Sequence, residues 1–147
     1  MNSVSTNSVL NQLVALHHRS LAMYLSFASP TWILGDDRAR DTLQVIALDQ
    51  QQTVDRLGEL LLENNGAVNF GAFPMEFTGY HDLSFSFLLK KLIEGQRRAI
   101  MAIEKCVSQL ALAPWAKAVA EESLGASKGH LESLLELRQA QSLESRL

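Results

Sequence analysis

Apolar residues recur at helical spacing in four segments of the chain, and no segment of useful length alternates as a β-strand does. The four segments cover about residues 8–29, 37–64, 82–110 and 114–140. Helix-boundary residues support these limits. Asp36 or Asp37 is suited to the N-cap of the second helix, Gly66 to its C-cap, and Pro114 to the first turn of the fourth. The pattern predicts an all-α protein with four helices.

The connection between the second and third segments, about residues 64–82, is rich in glycine and aromatic residues and has neither period. It is too long for an ordinary turn between helices and can run the full height of a bundle. We therefore expect two antiparallel helix pairs joined by a long crossover, as in one class of four-helix bundle. The crossover aromatics either cover the bundle as a lid or form part of a dimer contact; they are Phe70, Phe73, Phe77 and Tyr80.

Composition limits the protein classes that fit. A chain of 147 residues with 47% hydrophobic content predicts a single domain over 1–147. The net charge of -3 comes without a basic cluster, so neither nucleic acid nor an anionic membrane is expected as a partner. Cys106 is the only cysteine, which excludes an intramolecular disulfide and suits a reducing compartment. With no leader-like start and no apolar run of about 18 residues, we expect a cytoplasmic protein. We also expect a homodimer.

Six polar residues interrupt the inward-facing apolar stripes near the middle of the helices. They are His17, Gln50, Thr53, Gln96, Ser127 and His130. Their similar height predicts that they meet in one layer of the bundle. Leaving a buried polar group without a partner costs about 1 to 3 kcal/mol. We therefore expect these side chains to bond to one another, to water or to a ligand.

The register of the second helix affects this set. A frame one residue earlier would replace Gln50 and Thr53 by Asp49 and Gln52, which would bring one carboxylate into the layer. The later frame is favoured because Asp49 then lies on the same side as Gln52 and Arg56, away from the apolar stripe. Asp49 is accordingly predicted to lie outside the polar layer.

Three stretches resemble the helices of bacterioferritin-like proteins. "LNQLVALHHRSLAMYL" is similar to their first helix, "QQQTVDRLGELLLENNG" to their second and "EESLGASKGHLESLLEL" to their fourth. The resemblance, which extends over nearly the whole chain, is to the ferritin-like superfamily, which includes bacterioferritin and rubrerythrin. It implies a ferritin-like bundle and points to the superfamily's di-iron site, built from a Glu on two helices and Glu-x-x-His on the other two.

The positions that match those ligands have lost their carboxylates. In chain order they carry His17, Gln50, Thr53, Leu92, Ser127 and His130. Only His130 matches the superfamily ligand in kind. Because a pair of iron ions needs anionic oxygen ligands in a low-dielectric core, we predict a degenerate metal site without ferroxidase or di-iron oxygenase activity.

The favoured interpretation is a non-catalytic binding or structural module with no cofactor. In it, His17 and His130 form a neutral hydrogen-bonded pair inside the polar layer. The alternative is a protein or enzyme that holds one divalent ion, Zn, Cu or Ni, on these two imidazoles, with Gln50 or water completing the site.

A second alternative is a small organic ligand. Gly125 and Gly129 lie in the middle of the fourth helix, where each glycine costs about 1 kcal/mol relative to alanine. Their presence predicts either close helix packing or a gap beside Ser127 that a small molecule fills.

Overall fold

The computed structural model describes residues 3–28, 37–80 and 84–145, and within these ranges the protein is helical without any strand. The elements are α1 (Ser3–His18), α2 (Leu21–Ala28), α3 (Asp37–Glu63), a 3₁₀ helix (Met75–Tyr80), α4 (Phe85–Ser108) and α5 (Pro114–Ser145). The predicted all-α four-helix bundle is confirmed, with α1 and α2 together forming its first helix. No described helix has the length and apolar character needed to cross a membrane.

The first helix is interrupted at mid-height, where the sequence predicted a single helix over about 8–29. α1 ends at His18, and Ser20 starts α2 as its N-cap. The Ser20 hydroxyl accepts a hydrogen bond from the backbone N–H of Met23 at 3.1 Å and donates one to Gln50 Oε1 at 2.7 Å. One side chain therefore caps the new helix and ties the break to α3.

The end of α3 differs from the prediction that Gly66 is its C-cap. Asn65 takes the left-handed conformation, with φ of 59°, and Gly66 N–H donates to the Leu61 carbonyl at 2.7 Å. Glycine is needed at 66 for a different reason: a Cβ there would lie 2.7 Å from Asn7 Nδ2. Of the two proposed caps at the other end of α3, Asp37 is the first residue of the helix and Asp36 lies outside the described residues.

The crossover runs along α1 and is fixed to it by asparagines. Asn64 Nδ2 donates to Asn7 Oδ1 at 2.9 Å, which holds the start of the crossover. Further along, Asn11 Nδ2 donates to the Ala67 carbonyl at 2.9 Å and Asn11 Oδ1 accepts from the Asn69 N–H at 2.8 Å. The aromatic residues of the crossover then reach α2, where Phe73 and Phe77 contact Tyr24. The crossover thus spans the height of the bundle, as the sequence predicted.

The apolar core is divided into two clusters. One packs around Leu10, Leu13, Val14, Val54, Leu57, Leu61, Ile103, Cys106, Leu110 and Ala120. The other packs around Leu21, Leu25, Leu43, Ile46, Phe77, Leu89, Leu92, Ile93 and Leu134. On every long helix, the polar residues singled out in the sequence lie between the stretches that supply these clusters. The fold therefore places a polar level between two apolar halves.

Candidate functional site

Five of the six polar residues chosen from the sequence are buried at this level. They are His17, Gln50, Gln96, Ser127 and His130. Thr53 is half-buried, and its hydroxyl donates to the Asp49 carbonyl of its own helix at 3.1 Å. Thr53 is thus satisfied within α3 and makes no bond to the others.

The two glutamines link neighbouring helices through the layer. Gln96 Nε2 donates to the Ser127 carbonyl at 2.9 Å, which joins α4 to α5. Gln50 Oε1 accepts the Ser20 hydroxyl, which joins α3 to the start of α2. These bonds offset part of the cost of burying the amides.

His130 bonds to a residue that the sequence analysis placed outside the polar layer. Its Nε2 lies 2.9 Å from Asp49 Oδ2, and the Asp49 side chain is 47% exposed. Asp49 therefore reaches from the edge of α3 to α5. The predicted hydrogen bond between His17 and His130 is absent from the described part of the chain, because Asp49 takes His130 Nε2 and neither His17 Nε2 nor His130 Nδ1 has a partner.

His17 has an unusual environment. The residue is 4% exposed, and its Nε2 has no hydrogen-bond partner. Burial, and secondarily the nearby His130, lower the pKa of His17 from 6.5 to about 4. The imidazole is therefore neutral at physiological pH and offers an unused ring nitrogen inside the bundle.

His17 lines a pocket of about 630 Å³ between α1, α2, the crossover and α4. The polar residues of the layer that line it are His17, Ser20, Gln50, Gln96 and Ser127. Small residues face the pocket from both sides: Ala15 on α1, and Gly95, Ala99 and Ala102 on α4. Their short side chains keep the two helices from filling the space between them. The volume lies within the range of small-molecule sites, about 300 to 1,000 Å³.

The rest of the pocket lining is apolar or charged. The larger apolar residues are Leu16, Leu21, Phe77, Leu92 and Ile103, joined by the Tyr80 ring. The charged residues are Arg19, Glu76, Lys91, Arg98 and Lys105. A polar inner end, an apolar wall and a charged outer edge are thus combined in one pocket.

The predicted role of Gly125 and Gly129 is wrong. Both glycines are exposed, and a Cβ added to either would meet nothing within 4 Å. Neither packs closely against another helix, and neither forms a gap. The space for a ligand lies instead beside α4, where Gly95 and Ala99 line it.

The ligand set of a di-iron centre consists of carboxylate and imidazole side chains that lie close together. The described residues contain no group of three or more His, Cys, Asp or Glu side chains placed to hold a metal ion. Leu92, which matches the helix-three ligand, is buried among apolar residues. Within the described ranges, the carboxylate bonded to the layer is that of Asp49, and its partner is His130. Such a donor set lacks the anionic oxygen that a pair of iron ions requires.

Cys106 also lines the pocket, next to α1. Its thiol is suited to packing rather than to nucleophilic chemistry. Its Sγ donates a weak hydrogen bond to Gln12 Oε1 at 3.6 Å. Burial raises the pKa of the Cys106 thiol, and the opposing effect of Lys105 is smaller. The protonated thiol is a poor nucleophile.

Contacts of two residues with the crossover escaped the sequence analysis. Helical periodicity places Asn11 and His18 off the apolar stripe of the first helix, yet Asn11 holds the crossover and the His18 ring lies 5.0 Å from that of Phe70. Helical periodicity assigns faces relative to other helices, and it cannot foresee an irregular segment lying on the outer face. The sequence does contain a signal for the basic residues that line the pocket. Seven-residue spacing places Lys91, Arg98 and Lys105 on one stripe of α4.

Comparison with known proteins agrees with the architecture. No family model matches the chain, and no curated protein matches it. A solved structure of bacterioferritin from Rhodobacter capsulatus, with a metal-free dinuclear site and heme iron, is similar with a TM-score of 0.80. The match covers 99% of this chain and 89% of that one at 14% sequence identity. Identity this low bears on architecture alone, and the chain has the ferritin-like fold.

Proposed function

We propose that this protein is a non-catalytic binding protein whose pocket beside α4 takes a small organic molecule. The observation that carries the proposal is a pocket of about 630 Å³ that combines an apolar wall with the buried polar side chains of His17, Gln50 and Gln96. A volume of this size with a few polar groups on an apolar lining is typical of small-molecule sites.

The remaining lining supports the same use. The amides of Gln50 and Gln96 are already held by Ser20 and by the Ser127 carbonyl, so their orientations are set before a ligand enters. The apolar wall supplies the area whose burial drives the binding of organic molecules. Polar groups in fixed positions on an apolar wall favour selective binding, since little conformational entropy is lost on association.

Binding is favoured over catalysis by the chemistry of the inner end. A general base works best when its pKa lies near the working pH, and the pKa of His17 is about 4. At neutral pH His17 is a weak base that gives or takes a hydrogen bond without exchanging a proton. Its polar neighbours Gln50, Gln96 and Ser127 do not ionise in this range.

Fluorescence titration with phenylnaphthylamine, a neutral molecule of two ring systems, tests the proposal. We expect saturable binding of one molecule per chain. Ala99→Leu should weaken it by about tenfold, because the added side chain occupies the pocket. Ala126→Leu, on the exposed face of α5, makes the same change outside the pocket and should have no effect. Unsaturable binding, or equal affinity in both variants when both are folded by circular dichroism, would overturn the proposal.

A single divalent metal ion is the second candidate, and one observation favours it. His17 Nε2 and His130 Nδ1 are both unpartnered, while the other nitrogen of His130 bonds to Asp49. Metal-binding histidines commonly bond through their second nitrogen to a carboxylate in this way. Elemental analysis of untagged protein decides between the candidates: one Zn, Cu or Ni per chain that is lost in His130→Ala would replace the organic ligand in this account.

We also propose that the chain forms a homodimer. Val45 and Leu48 lie one turn apart on the outer face of α3, and their exposed fractions are 59% and 60%. Neighbouring exposed apolar side chains favour self-association. Light scattering should give twice the chain mass for the wild type and a lower mass for Leu48→Glu.

A further inference from the structure

The outer edge of the pocket is strongly basic. Lys91, Arg98 and Lys105 recur every seven residues along α4, so they lie on one stripe of the helix, and all three line the pocket. Arg19 lines it from the break between α1 and α2. Among the described residues of the lining, Glu76 is the only acidic one. Within that part of the chain, four cationic side chains surround the entrance against one carboxylate, in a protein whose net charge is -3. We refer to these four residues as the basic edge.

Most of the basic edge has no counter-charge from the protein. Among the described residues, Arg19, Arg98 and Lys105 make no recorded ion pair, whereas Arg40, Arg56 and Lys117 on other surfaces are each paired with a carboxylate. Lys91 has a partner, Glu94, at 3.7 Å, and both side chains are more than a third exposed. Unbalanced charge at the mouth of an apolar cleft concentrates counter-ions there.

The crossover holds Arg19 at this edge. Gly71 has a φ of 71°, and a Cβ at this position would lie 2.9 Å from Arg19 Cδ. The glycine therefore makes room for the aliphatic part of Arg19 to lie against the crossover backbone. An arginine whose stem is packed in this way loses less conformational entropy when its guanidinium binds an anion.

The combination defines a ligand class. We propose that the pocket selects amphipathic organic anions: a carboxylate, sulfonate or phosphate group lies at the basic edge, and an apolar body extends along the wall towards His17. The inference rests on the proposed function, because it assigns the charge of the molecule that the pocket takes. A nucleic acid is a poor fit, since a pocket of about 630 Å³ with an apolar wall admits a small molecule and no polymer backbone.

Two fluorescent molecules with the same ring skeleton separate the inference from the proposed function. Anilinonaphthalene sulfonate carries a sulfonate, and phenylnaphthylamine is the matching neutral molecule. We expect the wild type to bind the sulfonate about fivefold more tightly, since each exposed charge pair adds up to about 1 kcal/mol. Added salt should reduce this advantage. Decanoate should displace both molecules more effectively than decanol does.

Variants of α4 locate the effect. Arg98→Gln and Lys105→Gln should each weaken sulfonate binding by about twofold to fivefold and weaken phenylnaphthylamine binding by a smaller factor. Arg97→Gln and Lys90→Gln remove the same charge from exposed neighbours outside the pocket and should leave both affinities unchanged.

The outcomes are distinguishable. Equal wild-type affinity for the two molecules would overturn the anion preference. Equal losses of sulfonate affinity in the basic-edge variants and in the variants of their exposed neighbours would overturn it as well. In both cases saturable phenylnaphthylamine binding would still support the pocket. Saturable binding of neither molecule would overturn the proposed function together with this inference.

Discussion

His130 on α5 and Asp49 on α3 are hydrogen-bonded across the bundle, with Nε2 and Oδ2 2.9 Å apart. The bond occupies one nitrogen of His130 and leaves Nδ1 unpartnered inside the core. It also links two antiparallel helices at the polar level. The exposed ion pair between Arg56 and Glu122 joins the same two helices about two helical turns away. Asp49 is therefore a structural partner of the layer although its side chain is 47% exposed.

Removing this partner should destabilise the bundle moderately. Asp49→Ala leaves His130 Nε2 without its bond, and we expect a loss of about 1 kcal/mol in the free energy of unfolding. Urea denaturation measures it, with Glu59→Ala on the exposed face of α3 as the control that should change little. A double-mutant cycle with His130→Leu should show a coupling of similar size. Additive effects of the two substitutions would contradict the bond.

The buried state of His17 makes stability depend on pH. Its pKa is about 4 in the folded protein and 6.5 in the unfolded chain, so the unfolded chain binds more protons between these values. The contribution of His17 is constant above about pH 6.5 and is lost as the pH falls towards 4. Between about pH 7.5 and about pH 5 it should reduce the free energy of unfolding by about 2 kcal/mol.

His17→Leu removes this dependence. Urea denaturation at about pH 7.5 and about pH 5 measures the acid-induced decrease in the free energy of unfolding. This decrease should be smaller in the variant than in the wild type by about 2 kcal/mol. Gln44→Leu, an apolar replacement on the exposed face of α3, should keep the wild-type dependence. The same acid-induced loss in His17→Leu as in the wild type would show that His17 is charged or exposed in the folded state.

The glycines divide into two kinds with opposite expected responses. Gly125→Ala and Gly129→Ala add a Cβ to exposed helical positions with nothing within 4 Å. Each should therefore raise the free energy of unfolding by about 0.5 to 1 kcal/mol. Gly66→Ala places a Cβ 2.7 Å from Asn7 Nδ2 and should lower it by about 1 to 2 kcal/mol. Calorimetry compares them. Destabilisation by alanine at 125 or 129 would mean that these positions contact a partner.

Replacing Asn11 should loosen the crossover locally and leave the packing of the four-helix bundle almost unchanged. Asn11→Ala removes two hydrogen bonds, to the Ala67 carbonyl and from the Asn69 N–H. Hydrogen exchange should therefore accelerate over residues 67–71, while protection in α3 and α4 is retained. Ser8→Ala, on an exposed position of α1, provides the comparison. A uniform loss of protection across the helices would argue against local anchoring.

The architecture could be predicted from the sequence because it depends on periodicity and length. The four apolar stripes and the long connection between the second and third of them predict the bundle with its crossover, and Pro114 begins α5 as expected. The positions of the polar interruptions also located the level at which the structure buries His17 and Gln50. These features follow from averages over many residues, so single deviations do not disturb them.

The details of the site depend on contacts that periodicity does not encode. Asp49 was placed outside the polar layer because its position lies off the inner stripe, yet its carboxylate reaches His130. Ser20 was read as one more residue of a continuous helix, although it ends α1 and caps α2. The search for space followed the glycines of α5, while Gly95 and Ala99 line the pocket beside α4. Small residues mark a cavity only when the facing helix is known.

A crystal structure of the protein with phenylnaphthylamine bound tests the central claim most directly. The account predicts one molecule in the pocket between α1 and α4, with a ring against Ala99. Density for the molecule at another surface, or a pocket that has collapsed, would contradict it.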